Sequence, residues 1–169
     1  MRLIAAALLL AAPQVADAAA TKSAKPCVSR AELVAAFLYL LPKAIPAVTD
    51  KCRPHLPDSA WLLTEGQTYA ERLAAKRAEH WPGTLRMFEK VSDGPLPPEI
   101  SDESIRSLTD DVLRAKLMPE IKPKDCGTID EAARLVAPLP PENLAELVGL
   151  IAERSIKKGN PPICPAPAA

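Results

Sequence analysis

Few glycines, few aromatic residues and no net charge are the first marks of this chain. Its 6 glycines in 169 residues leave little material for the tight loops that cradle phosphates or bend around a catalytic group. No Gly-rich phosphate loop, GxSxG elbow, HExxH helix or Asp-rich calcium loop occurs. Aromatic residues make up 4% of the chain, which is low for a sugar-binding or base-stacking surface. The formal net charge is +0, so no basic stripe is expected to bind nucleic acid. The same balance argues against strong attraction to anionic membrane surfaces. No run of alternating β-branched residues marks a strand. Histidine is limited to His55 and His80.

Proline is plentiful instead. The 19 prolines cluster between periodic segments, where they begin or end helices. The chain therefore reads as all-α, a compact bundle of about six helices with Pro-rich connections. Ser29-Arg30-Ala31-Glu32 is a capping box that starts the first helix. Residues 33–41 are apolar on nearly every face, as in a buried helix. Pro42 is expected to bend or end that helix, with residues 44–48 as a second short piece. A helix over about 58–80 places Leu62, Tyr69, Leu73 and His80 on one face, with Glu71, Arg72, Lys76 and Glu79 on the other. Trp81-Pro82-Gly83 is expected to break it, and a shorter helix follows over 84–91. Ser101 and Asp102 cap a helix striped by Ile105, Leu108, Val112 and Ala115 and ended by Pro119. Thr128 to Glu131 reads as a second capping box. The last helix is expected over 141–157, with Leu144, Leu147, Val148, Ile151 and Ser155 on one face. Leu-Pro-Pro-Glu occurs at 96–99 and at 139–142, each time just before a helix.

The amino terminus carries an export signal. Met1-Arg2 is followed by an apolar stretch over 3–12, too short to span a bilayer, and by the small-x-small site Ala16-Asp17-Ala18. The expected organisation is a cleaved signal over 1–18, a disordered linker over 19–26, a single helical domain over 27–164 and a disordered tail over 165–169. No stable membrane span is expected after cleavage. The expected destination is the periplasm or the cell exterior. In such an oxidising compartment Cys27, Cys52, Cys126 and Cys164 read as two disulfides. Neither a Cys-x-x-Cys redox pair nor closely spaced metal ligands occur, so no metal or cofactor is expected. Four cysteines allow three pairings. If the chain turns back near Pro42, Cys27 meets Cys52 at the open end of a helical hairpin, and Cys126 and Cys164 bracket a second helix pair. That geometry favours Cys27–Cys52 with Cys126–Cys164. The nested alternative joins Cys27 to Cys164 and Cys52 to Cys126.

Three functions fit these features. The leading expectation is a non-enzymatic interaction or structural module that binds an envelope protein or component. The second is a carrier of a small hydrophobic or lipid ligand, with Leu33, Phe37, Leu41, Trp61 and Phe88 as its apolar surface. In texture this resembles the small disulfide-stapled helical domains of the saposin-like family. Those rely on six cysteines, and no residue is carried over from them. The third is an enzyme pairing His55 or His80 with a carboxylate such as Glu65, Asp110 or Asp111. If the disulfides are structural, reducing the purified protein should lower its melting temperature by many degrees. An unchanged melting curve under reductant would remove that assignment.

Overall fold

The computed structural model describes residues 27–92, 94–155 and 161–165. The expected signal, the linker, residues 166–169 of the tail and the lysines at 157 and 158 lie outside the described residues. The fold is all-α. Among the described residues seven α-helices follow in order: α1 Arg30–Cys52, α2 Trp61–Thr64, α3 Gly66–Ala74, α4 Trp81–Val91, α5 Asp102–Glu120, α6 Cys126–Val136 and α7 Pro141–Ser155. Short 3-10 turns occupy Arg53–His55, Arg77–His80 and Pro123–Asp125.

Helix α1 is the centre of the bundle, and α3, α4, α5 and α7 all pack on it. Its capping box forms as the sequence predicts: Ser29 Oγ accepts from the Glu32 amide at 3.3 Å, and Glu32 Oε2 accepts from the Ser29 amide at 2.8 Å. The expected break at Pro42 does not occur. α1 runs on through Pro42 and Pro46 to Cys52. Each interior proline removes a helical hydrogen bond, at a cost of about 3 kcal/mol. Packing on several sides offsets that cost, and Pro42 itself is buried.

The continuous helix decides the disulfides. At about 1.5 Å per residue, 23 helical residues span roughly 34 Å, while disulfide-bonded Cα atoms lie within about 7 Å. Cys27 and Cys52, at opposite ends of α1, therefore cannot pair, and the favoured hairpin pairing is corrected. The bonds are the nested ones, Cys27–Cys164 and Cys52–Cys126, with Cα separations of 5.0 and 5.4 Å. Beside the first bond, Val28 and Ile163 form a parallel β-bridge. The Val28 amide donates to the Pro162 carbonyl at 2.9 Å, and the Cys164 amide donates to the Val28 carbonyl at 2.9 Å. The two ends of the domain are thus tied together.

Other boundaries also shift. The helix expected over 58–80 divides into α2, α3 and the Arg77–His80 turn. Trp81-Pro82-Gly83 starts α4 rather than breaking a helix, because proline in the first turn lacks only an amide that would have no helical partner. α6 begins at Cys126, so Thr128 is not a cap. Asp130, within α6, instead accepts from the Leu62 amide in the first turn of α2 at 2.7 Å. Leu108 and Val112 of α5, expected in its core stripe, are 59% and 40% exposed. α5 buries Thr109, and half-buried Ile105, Leu113 and Leu117 continue that face. In α7, Leu147 and Ile151 are exposed while Leu144, Ala145 and Gly149 are buried.

Small residues set two of these faces. A Cβ at Gly83 would lie 2.5 Å from Ala35 Cβ, so α4 approaches α1 as closely as glycine allows. A Cβ at Gly149 would meet Arg30 Cγ at 3.0 Å and Val34 Cγ2 at 3.3 Å. Gly83→Ala should therefore lower the melting temperature, because the short Ala35 side chain cannot move aside. The overpacking cost of about 1–3 kcal/mol exceeds the gain in helix propensity. Gly127→Ala, at an open position of α6, should raise stability by about 0.5–1 kcal/mol. Thermal melts of the two variants check both signs.

Candidate functional site

The five apolar residues singled out in the sequence are all half-buried. Leu41 and Trp61 pack against the core cluster of Ile45, Leu62, Tyr69, Ala70 and Leu73. None of the five lines the cleft between α3 and the α6–α7 connection. That cleft holds about 400 Å³ and is half open to solvent. Leu38 of α1, Tyr69, Arg72 and Leu73 of α3, and Lys76 just beyond the end of α3 form one side, with His80 at their end. Residues 137–142, the Ala-Pro-Leu-Pro-Pro-Glu connection from α6 into α7, form the other.

The local sequence explains both walls. Residues 69, 72 and 73 stand at i, i+3 and i+4 in α3, which puts them on one helix face, and Lys76 follows in the turn just after it. Arg72 and Lys76 thus share the cleft with Tyr69 and Leu73, although the sequence reading places them on the opposite side. In the facing wall, Pro138, Pro140 and Pro141 carry no amide hydrogens, so that wall offers apolar rings. Leu-Pro-Pro-Glu at 139–142, noticed as a repeat, was the available signal for this wall. Nothing in the sequence paired it with α3.

Tyr69 is the unusual group here. It is 6% exposed, and its hydroxyl is buried with no hydrogen-bond partner. Its ring meets Trp61 edge-on at 5.6 Å, and the Arg72 guanidinium lies 5.4 Å from the ring centroid. Burial pushes the hydroxyl above its ordinary value, with Arg72 acting downward and Glu142 upward. At neutral pH it is therefore a protonated donor awaiting an acceptor. Lys76, in the turn after α3, and Glu142, in the first turn of α7, form an exposed ion pair at 3.8 Å. Tyr39 has a similarly orphaned hydroxyl. It is enclosed by Trp81 at 4.9 Å and by the Arg77 guanidinium at 3.8 Å, and it does not line the cleft.

The remaining polar groups hold the bundle together. Glu32 is 6% exposed and accepts from Lys90 Nζ of α4 at 2.7 Å, with Arg86 at 4.0 Å. Arg77 donates to the Tyr39 carbonyl at 2.9 Å and pairs with Asp110, which Lys43 approaches to 3.8 Å. Arg30 pairs with Glu153 across α1 and α7. Trp81 Nε1 donates to Asp102 at 2.7 Å, and the Arg106 guanidinium covers the Trp81 ring at 4.4 Å. Asp110 is thus already engaged. Neither His55 nor His80 forms an ion pair with a carboxylate among the described residues. Among the same residues no three of His, Cys, Asp and Glu are grouped to hold a metal ion.

Burial raises the Glu32 carboxyl, but the bonds from Lys90 and Ser29 outweigh it and hold the group below the usual range. The Arg30 bond lowers Glu153, and the Trp81 and Arg106 bonds lower Asp102. A carboxyl held low contributes stability above its unfolded value and loses it as pH falls through the folded value. Denaturant midpoints should therefore drop as pH falls below about 4.3, and Glu32→Gln should flatten that dependence. An acid slope identical in the variant would show that Glu32 carries none of it.

No family model matches the chain, and neither a curated protein nor a solved structure does.

Proposed function

We propose that this is an exported, non-enzymatic binding protein that holds one small, largely apolar ligand in the cleft between α3 and the α6–α7 connection. The carrying observation is that cleft, whose lining includes Tyr69, a residue with a buried and unpartnered hydroxyl. Its volume of about 400 Å³ falls in the lower part of the range for small-molecule sites, about 300–1,000 Å³. Its walls of leucine, proline and tyrosine favour apolar groups, at about 0.8 kcal/mol per buried methylene. A buried donor without an acceptor costs stability in the empty protein, and a ligand acceptor would recover it. The two disulfides and the signal-like amino terminus support export.

Helix α1 with the turn after it is long and apolar enough to cross a membrane, with a mean hydropathy of 1.6 over its most apolar window. Surrounded by α3, α4, α5 and α7, it reads as the core helix of the domain. A partner-binding role, the other leading expectation, draws support from exposed Leu147, Leu150 and Ile151 along α7.

Native mass spectrometry of protein purified gently from its compartment distinguishes these roles. The expected result is a reproducible extra mass that is lost on denaturation. Leu139→Trp, on the exposed part of the cleft wall, should abolish that extra mass without lowering the melting temperature. A bare monomer mass in every preparation, with no thermal shift from any small apolar compound, would overturn the ligand reading. A mass at a simple multiple of the chain would favour the partner-binding role.

A further inference from the structure

Within the cleft the charges are not balanced, although they are balanced in the chain as a whole. Lys and Arg number 21 and Asp and Glu number 21 over the full sequence. The cleft lining holds Arg72 and Lys76 against the single carboxylate of Glu142. Arg72 forms no ion pair among the described residues. Lys76 has only the solvent-exposed Glu142 at 3.8 Å, a pair that contributes little and exchanges readily. The amino terminus of the 15-residue helix α7 also opens on the cleft, and its dipole favours negative charge. Tyr69 adds the buried donor described above.

We propose that the ligand is a single-chain amphiphile with a carboxylate head. This rests on the reading of the cleft as a ligand site. The head would accept from the Tyr69 hydroxyl and face Arg72 and Lys76, drawing Lys76 away from Glu142. The tail would lie against Leu38, Leu73 and the proline wall. A volume of about 400 Å³ suits one chain rather than two.

Octanoate, octanol and octyltrimethylammonium share one tail and differ in their heads, so they separate the two claims. Their affinities would be measured by titration calorimetry at neutral pH on the oxidised protein. The expected order is octanoate first, by tenfold or more over octanol, with the cation weakest. Arg72→Gln changes only an exposed side chain and should reduce the octanoate preference several-fold, while octanol binding stays unchanged. Tyr69→Phe should do the same. Because its hydroxyl has no partner in the empty protein, its melting temperature without ligand should hold or rise. A merely structural tyrosine would instead lose stability with no change in head-group preference. Equal binding of octanoate and octanol would overturn the carboxylate assignment and leave the apolar site standing. Preference for the cation would overturn it by reversing the sign. No binding of any of the three would remove both.

Discussion

Helix α1 keeps its two ends roughly 34 Å apart, and the rest of the molecule is arranged around that rigid separation. A cysteine at either end must find its partner on another part of the chain. Cys52 finds it at the start of α6, and Cys27 finds it beyond α7. The first and last described segments are consequently paired, by a disulfide and by the short parallel bridge at Val28. In the chain-entropy account each bond alone restricts the unfolded chain by about 4–5 kcal/mol for loops of this length. Together they contribute less than the sum, since the second closes a loop the first has already shortened. Both reach across most of the fold, so they stabilise the arrangement of helices rather than any one hairpin.

Such a central helix needs close neighbours, and the chain supplies them with few large side chains. Gly83 and Gly149 let α4 and α7 approach α1. Ion pairs and hydrogen bonds then fix their positions: Lys90 on Glu32, Arg30 on Glu153, and Arg77 between the Tyr39 carbonyl and Asp110. The partners of Glu32 show why such clips are one-sided in their effect. A buried carboxylate beside an ammonium group adds modest stability, whereas the same carboxylate left alone would be strongly destabilising. Tyr39, Trp81 and Arg106 stack in sequence beside these clips. Of the ionisable groups that the sequence offered for chemistry, Asp110 is absorbed in this way.

The cleft arises where this close packing gives out. The α6–α7 connection carries Pro138, Pro140 and Pro141. It can neither continue a helix nor offer those amides to α3, and a gap lined by Leu38 and Leu73 is left between it and α3. Tyr69 belongs both to the filled core, with Leu62 and against Trp61, and to the lining of that gap.

Local signals in the sequence were enough for the helical class, the capping box at Ser29 and Glu32, the cap at Ser101 and the burial of much of α1. These depend on spacing of three and four residues and on side chains that reach only their own turn. Longer-range choices were not legible. Whether Pro42 ends a helix depends on how much packing surrounds it, and the cysteine pairing follows from that outcome. Which stripe of α5 or α7 faces inward depends on how closely the neighbouring helix can approach, so Thr109 and Gly149 win over Leu108 and Leu147. The cleft joins residues 69–80 to residues 137–142, and no local pattern links two segments so distant along the chain. Periodicity and capping specified the helices. Only the packing of those helices on α1 decided which cysteines meet, which faces are buried and where a ligand could sit.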